Sequence, residues 1–389
     1  MGLTLAYNWR NLWVRKFSTG LTFLVVAALV LVLTVLMSFA AGIQTALEVS
    51  GWPENVLVIR RGAQAESTSI MLPPEVARLV QTPGVARNAA GELLISQELA
   101  VQTDIPRRGA GNKANVCVRG VDPVAFEVHP EVRVVEGRMF EYGALEAVVG
   151  RAARDRYAGL NLGDEVILGR SKNRAYTVVG VFEARGGAFE SEIWAPRMRI
   201  TDSYHRNLIS SVCLRMERPQ LVAAALEYIN GPAVALQARP EPEYYRELSA
   251  STAKLAGLAL GLVLVMGVGA AFAVANTMYA AVDRRRREIA MLRTIGFSRP
   301  AIVSAFLTES ILLCLIACAA GVLGGSALSG RREDYLSDAT YTVFAYEMTV
   351  TGEIVVIAFA LAGVIGLVGA FFPALRAARV EIIGALRKA

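Results

Sequence analysis

Four apolar runs, residues 19–42, 255–282, 301–329 and 354–372, decide most of what this chain can fold into. An α-helix needs about 20 residues to cross the hydrocarbon core of a bilayer, and in lipid its backbone groups must be satisfied within the segment. Each run is long enough and nearly free of charge, so membrane-spanning helices are predicted over 19–42, 253–282, 301–329 and 353–373. Composition agrees: 54% of the 389 residues are hydrophobic and 19% charged, with a mean hydropathy of +0.42, on the apolar side of globular usage. The first run outlasts the apolar core of about 7–15 residues in a cleaved signal. It meets no small-x-small site before Glu48 and is expected to stay as an anchor.

Orientation follows from Lys and Arg in the short flanks, which are held on the cytoplasmic side. Residues 1–18 carry three bases and no acid (+3), and residues 283–300 carry six Arg against Asp283 and Glu288 (6 − 2 = +4). Residues 330–352 carry two bases and four acids (2 − 4 = −2), and the tail from Ala374 four bases and one acid (4 − 1 = +3). Both termini and the turn between spans two and three are therefore expected in the cytoplasm. The loop 330–352 and residues 43–252 are expected outside. The net charge of +6 sits beside the apolar runs rather than in a basic stripe with interleaved aromatics, which excludes a nucleic-acid partner.

Residues 43–252 are enough for one or two cores. A strand is predicted at 56–59, then a helix at 73–80 opened by Pro73 and Pro74 and stopped by Thr82, Pro83 and Gly84. Further strands are predicted at 116–121, 147–150, 165–168 and 176–182, then strand, helix and strand at 211–216, 220–229 and 233–237. The pattern is one α/β unit split by a β-rich insertion. Residues 241–248 read as a charged helix entering span two, either a lever or a passive linker.

The turn 283–300 reads as a short helix. Ile289, Met291, Leu292 and Ile295 form an apolar stripe, Gly296 suits the position just past a helix end, and Ser298 with Pro300 restarts the next helix. Such a helix can dock into a partner's groove or lie on anionic lipid, which Arg284 to Arg287 also favour. Spacing leaves both open.

Arg287-Glu288-Ile289-Ala290, Leu292-Arg293, Ile295-Gly296 and Phe306-Leu307-Thr308-Glu309 resemble the MacB, LolC/LolE and FtsX group of type VII ABC permeases. That family normally has glycine where Ala290 stands. In the tail, Pro373 to Arg379 and Ala385-Leu386-Arg387 are similar to the family's ending, with Ile382 at a position usually held by proline. Arg119-Gly120-Val121-Asp122-Pro123, Glu136-Gly137-Arg138, Gly163-Asp164 and Val178-Val179-Gly180-Val181 also recur in order, so the resemblance spans nearly the whole chain.

The resemblance implies a protein of the bacterial inner membrane with four transmembrane helices and a large α+β extracytoplasmic domain between the first and second. That domain would be a Porter unit with a Sabre insertion at about 122–207. It implies that the turn is a coupling helix, with Arg287, Glu288, Ile289, Met291, Leu292, Arg293, Ile295, Gly296 and Phe297 at an ABC ATPase subunit. Also implied are a homodimer of permeases, relay of ATP-driven motion to the periplasmic domain (mechanotransmission), and, in MacB-like assemblies, a periplasmic adaptor and outer-membrane channel. No GxxxxGK[ST] phosphate loop occurs, so ATP and Mg are expected in a partner chain and no cofactor in this one. Export is the leading function. Lipoprotein release of the LolC/LolE type and FtsX-like regulation of a cell-wall hydrolase are the alternatives, and the size of the domain counts against the last. No nucleophile elbow, metal cluster or histidine triad suggests an enzyme.

Gly257 and Gly261 in span two, and Gly321 and Gly325 in span three, form GxxxG pairs that are expected to pack within the bundle rather than between copies. Glu309 lies about two turns into its span, where a structural hydrogen bond to a neighbouring helix is expected. Lys254 is expected to snorkel to the outer interface. In residues 3–17, Leu5, Trp9, Leu12 and Trp13 share one helical face, predicting a helix along the inner leaflet. Cys314 and Cys318 read as small hydrophobes. Cys117 and Cys213 fall where a disulfide is chemically permitted. With two histidines, His129 and His205, and no CxxC or HExxH, no metal site is expected.

Overall fold

The structure, a computed structural model, describes residues 16–109, 113–169, 174–336 and 343–380. Most of the amphipathic stretch 3–17 and the tail beyond Val380, with Ile382 and Ala385 to Arg387, lie outside the described residues. The chain divides into two compact units: Met1–Ala41 with Ala253–Arg331 and Met348–Ala389, and Gly42–Thr252 with Arg332–Glu347.

In the first unit four helices are long and apolar enough to cross a membrane: Thr19–Leu47, Leu260–Arg284, Arg299–Ser326 and Gly352–Ala378, spans one to four. Span two is the later part of one unbroken helix, Glu241–Arg284. Span four carries its helix through Pro373 to Ala378, so residues 374–378, read above as tail, are helical. A proline is tolerated there because neighbouring groups in a bundle can re-satisfy the freed carbonyl.

Small residues set how closely the spans approach. A Cβ on Gly321 would lie 2.6 Å from the Ala27 carbonyl oxygen, and one on Gly325 2.6 Å from Thr34 Cγ2, so spans one and three touch backbone to side chain. Gly369 stands equally close to Ala271, joining spans four and two. The Ser310 hydroxyl donates to the Gly366 carbonyl at 2.9 Å, and Thr22 and Thr277 share a hydroxyl contact of 2.6 Å. Apolar side chains fill the remainder, among them Leu29, Leu33, Val274, Met278, Cys314, Cys318 and Ile365. Gly257 and Gly261 depart from the expectation of packing within the bundle: a Cβ on either would have no neighbour within 4 Å. They lie on a flank where Leu258, Leu262 and Val265 are also exposed.

The second unit is built on a ten-stranded sheet. Its strands are β1 (Asn55–Ile59), β2 (Ile95–Pro106), β3 (Lys113–Val121), β4 (Arg133–Gly137), β5 (Glu146–Gly150), β6 (Glu165–Ile167), β7 (Ala175–Glu183), β8 (Ile193–Pro196), β9 (Ser211–Arg215) and β10 (Gln237–Pro240). The order is β10-β1-β9-β2-β3-β8-β5-β7-β4, with β6 on β7. A hairpin of β11 (Arg332–Leu336) and β12 (Val343–Glu347) belongs to the same unit.

Two apolar cores lie along this sheet. Val56, Val58, Met71, Leu79, Val212, Leu214 and Ile229 belong to one; Leu99, Val101, Val116, Val118, Val149, Tyr176 and Ile193 belong to the other. β2 serves both. Its first residues, Ile95 to Glu98, pair with β9, and Leu99 to Pro106 pair with β3. The insertion read from sequence as 122–207 therefore begins earlier: β2 and β3 already supply the second core, because one long hairpin crosses between the two.

Arg119, on β3 near this crossing, is 3% exposed. Its five N–H groups are all spent on carboxylates: Nε and Nη2 donate to Glu192 (2.8 and 2.9 Å), and Nη1 and Nη2 to Glu66 (2.8 and 3.1 Å). Nη1 also donates to Glu98 (2.6 Å). Burial works against the guanidinium charge, but the three carboxylates hold its proton more firmly than usual. Burial likewise opposes the Glu98 charge, yet His129 and Arg119 bring that carboxyl down to about 2.

Cys117 and Cys213 are both free and buried. They stand on strands either side of β2, opposite Gln102 and Ser96 respectively. Six positions along a strand is about 20 Å at roughly 3.4 Å per residue, far beyond the reach of a disulfide.

Candidate functional site

The helix ending at Arg284 breaks at Arg285, and a second helix runs over Arg286–Thr294. It stops by a local device. Gly296 adopts a left-handed backbone (φ +106°), the Phe297 N–H donates to the Leu292 carbonyl (3.1 Å), and the Gly296 N–H to that of Arg293 (3.2 Å). This is the Schellman closure that glycine permits. Ser298 then precedes the helix of span three, with Pro300 in its first turn.

Three contacts fix this short helix on the bundle. Ile289 and Ala290 are buried, Ile289 in the same cluster as Val282, Phe306 and Ala374. Arg285 donates to both oxygens of Glu309 on span three, at 2.8 and 3.3 Å, and lies over the Phe306 ring. Arg293 Nη1 donates to the carbonyls of Ala378 (3.2 Å) and Val380 (3.1 Å). It thereby satisfies acceptors that the end of a helix leaves open. Nearby, Arg376 sits over the Tyr279 ring, and Asp283 pairs with Arg286 at 2.8 Å.

The opposite side of the helix and its exit turn carry Met291 (51% exposed), Leu292 (39%), Ile295 (75%) and Phe297 (52%), bordered by exposed Arg287 and Glu288. Of the nine residues predicted to meet a partner, the structure turns Ile289 and Arg293 inward as anchors and makes Gly296 the turn. Met291, Leu292, Ile295 and Phe297 form the apolar patch with the charged pair at its edge. Sequence reasoning missed Arg285, one of four consecutive arginines. The signal was Glu309, a carboxylate inside a span that requires a cation.

A four-span bundle with an anchored amphipathic helix in its middle turn, and a large α/β domain after the first span, is the architecture of an ABC transporter permease. Residues 260–382 match the FtsX-like permease C-terminal family, and residues 19–231, more than half of the chain, match the MacB-like periplasmic core domain. The chain belongs to the MacB/FtsX family of ABC transporter permeases. It is 25% identical over 415 residues to the pyoverdine export ATP-binding/permease protein PvdT of Pseudomonas entomophila (97% of this chain, 58% of the relative). To the macrolide export ATP-binding/permease protein MacB 1 of Aeromonas hydrophila subsp. hydrophila it is 26% identical over 312 residues (74% and 46%). It thus spans about half the length of the curated relatives it matches. Among solved structures, the extracellular domain of the ABC-type transporter YknZ aligns with 47% of this chain and 98% of its own, at 16% identity and a TM-score of 0.34.

Proposed function

We propose that this chain is the permease subunit of a machine in which a separate ABC ATPase drives conformational change in the large domain, for export of substrate from the periplasm or outer leaflet. The observation that carries the reading is the turn helix: clamped on one side by Ile289, Arg285 and Arg293, and presenting Met291, Leu292, Ile295 and Phe297 on the other. A short rigid helix with an exposed apolar face is built to seat in a protein groove. Its clamp passes any push on that face into spans three and four.

Positive charge beside the turn and both terminal segments supports an inner-membrane protein with its termini and turn helix in the cytoplasm and its large domain in the periplasm. ATP and Mg would then be bound by the ATPase partner. The ATP-binding/permease and export names of the relatives support the pairing of this permease with an ATP-binding part, and favour export over lipoprotein release or hydrolase regulation. The working unit would pair two permease copies with an ATPase dimer, and engage a periplasmic adaptor and outer-membrane channel.

The test is purification of the full chain from its native membrane with associated subunits. The wild type should co-purify with an ATP-hydrolysing subunit carrying a phosphate loop. Ile295→Asp and Phe297→Asp should lose it while keeping the wild-type melting temperature. Retention of the ATPase by both variants would remove the docking assignment.

A further inference from the structure

Beside the Arg119 network lies a second buried group, three of whose polar atoms have no hydrogen-bond partner. His129, Cys213 and Glu241 each place one ligand-type atom within 4.8 Å of the others, and all three are buried. Glu131 faces the same point: one of its oxygens lies 3.5 Å from His129 Nδ1, as does one oxygen of Glu241. Neither Glu131 oxygen has a hydrogen-bond donor, nor does His129 Nδ1 have a hydrogen-bond partner, although Glu131 is 5% exposed and His129 1%. A buried carboxylate without donors is costly, and a cation held among these side chains would offset that cost.

We infer that these side chains form a binding site for a divalent transition-metal ion of the Zn2+ type, with Cys213 Sγ, His129 Nδ1 and one oxygen each of Glu241 and Glu131 as ligands. Two ligand atoms about 2.0–2.1 Å from a shared tetrahedral ion stand about 3.3 Å apart, close to the 3.5 Å separations seen here. The outer contacts are those a metal site needs. His129 Nε2 lies 2.9 Å from Glu98, so a proton on Nε2 donated to that carboxylate leaves the Nδ1 lone pair for the ion. The second oxygen of Glu241 accepts from the Trp52 N–H (2.9 Å) and Asn55 Nδ2 (2.8 Å), which orients the first. Such outer partners fix tautomer and ligand direction. The donor set selects the metal class: a thiolate and an imidazole suit Zn2+ and its neighbours, whereas Ca2+ and Mg2+ take oxygen shells.

On binding, the proton of the Cys213 thiol and any proton on His129 Nδ1 pass to solvent, and the metal takes the sulfur and nitrogen lone pairs so freed. The ligands come from the segment after the helix Ala125–Val128, from β9, and from the first residue of the helix Glu241–Arg284. The ion would therefore tie the start of that long helix to the sheet. They lie far apart in the chain, so no CxxC or HExxH spacing announced them. The inference runs against the expectation of no metal site.

Full-length protein in detergent, stripped with a chelator, should take up about one equivalent of Zn2+ per chain, as a single four-ligand site requires. X-ray absorption of the zinc-loaded wild type should show one sulfur among nitrogen and oxygen ligands. Co2+ in its place should give a thiolate charge-transfer band that survives Cys117→Ser and disappears in Cys213→Ser. Glu98→Gln should lower zinc affinity by about 10–100-fold. The wild-type measurements decide the matter even if a variant fails to fold: no zinc uptake, or a zinc shell with no sulfur or with two, overturns the site. So does a cobalt band that persists in Cys213→Ser.

Discussion

Removing either partner of the Arg285–Glu309 pair should cost the bundle far more than removing both. Arg285 is 9% and Glu309 6% exposed, and the contact is two-pronged at 2.8 and 3.3 Å. Little water is available to either charge when its partner goes. Breaking a buried pair from one side costs about 3–5 kcal/mol, whereas replacing both partners with apolar groups of similar volume is often close to neutral. Arg285→Met, which strands the carboxylate, is expected at the upper end of that range. Glu309→Leu should cost less, because the long Arg285 side chain can swing toward water. The double variant should lie close to the wild type and well above Arg285→Met, so the interaction energy should be about 5 kcal/mol or more, above the roughly 0.5–3 kcal/mol usual for residues in contact. At about 1.4 kcal/mol per tenfold, a 3 kcal/mol loss is roughly a hundredfold in the folded-to-unfolded ratio. The assay is reversible unfolding of the full chain in mixed micelles, followed through a complete double-mutant cycle. Because Arg285 caps the turn helix, ATPase stimulation by the reconstituted complex should fall with Arg285→Met and partly return in the double variant. A cycle that closes to within about 0.5 kcal/mol would show that the two charges do not depend on one another, refuting the clamp.

Gly325→Val and Gly321→Val should each destabilise the bundle by about 1–3 kcal/mol or more through overpacking, since their Cβ atoms would meet Thr34 and Ala27 at 2.6 Å. Gly257→Ala and Gly261→Ala, with no neighbour within 4 Å, should leave monomer stability in detergent unchanged or slightly raised. Arg119→Met should cost about 3–5 kcal/mol, measured by denaturant unfolding, because three buried carboxylates lose five N–H donors. Arg119→Lys should recover only part of that loss, since an ammonium cannot reproduce the planar fork. Alkylation of the chelator-treated, denatured chain without reductant should add four labels, one per free cysteine; two labels would indicate a disulfide.

The membrane part was legible because it obeys a one-dimensional rule: a run of apolar residues of the right length has one stable arrangement in lipid. Helical spacing similarly put Met291, Leu292 and Ile295 on a short helix and Gly296 at its end. Spacing did not separate inward from outward faces, so Ile289 and Arg293 were grouped with the exposed patch that they hold in place. Arg285 was hidden among identical neighbours, since only the break after Arg284 sets which arginine points back at Glu309. In the large domain, β2 serves one core with Ile95 and the other with Leu99, Val101 and Ile105, all at odd-numbered positions of the strand, so nothing in its apolar pattern marked the border between them. The polar centres were the least legible. Glu66, Glu98, Arg119, His129, Glu192, Cys213 and Glu241 are scattered over about half of the chain, and each taken alone reads as a surface charge or a filler.

The shared strand also bears on how the large domain can move. The strand β2 runs through both lobes, and Arg119 joins Glu192 of its own lobe to Glu66 and to Glu98 on β2, so sliding one lobe past the other would strain the three hydrogen bonds to Glu66 and Glu98. The domain is thereby made stiff along its length, closer to a beam than to a pair of jaws. Under the proposed function, force applied at one end would arrive at the other instead of being absorbed between.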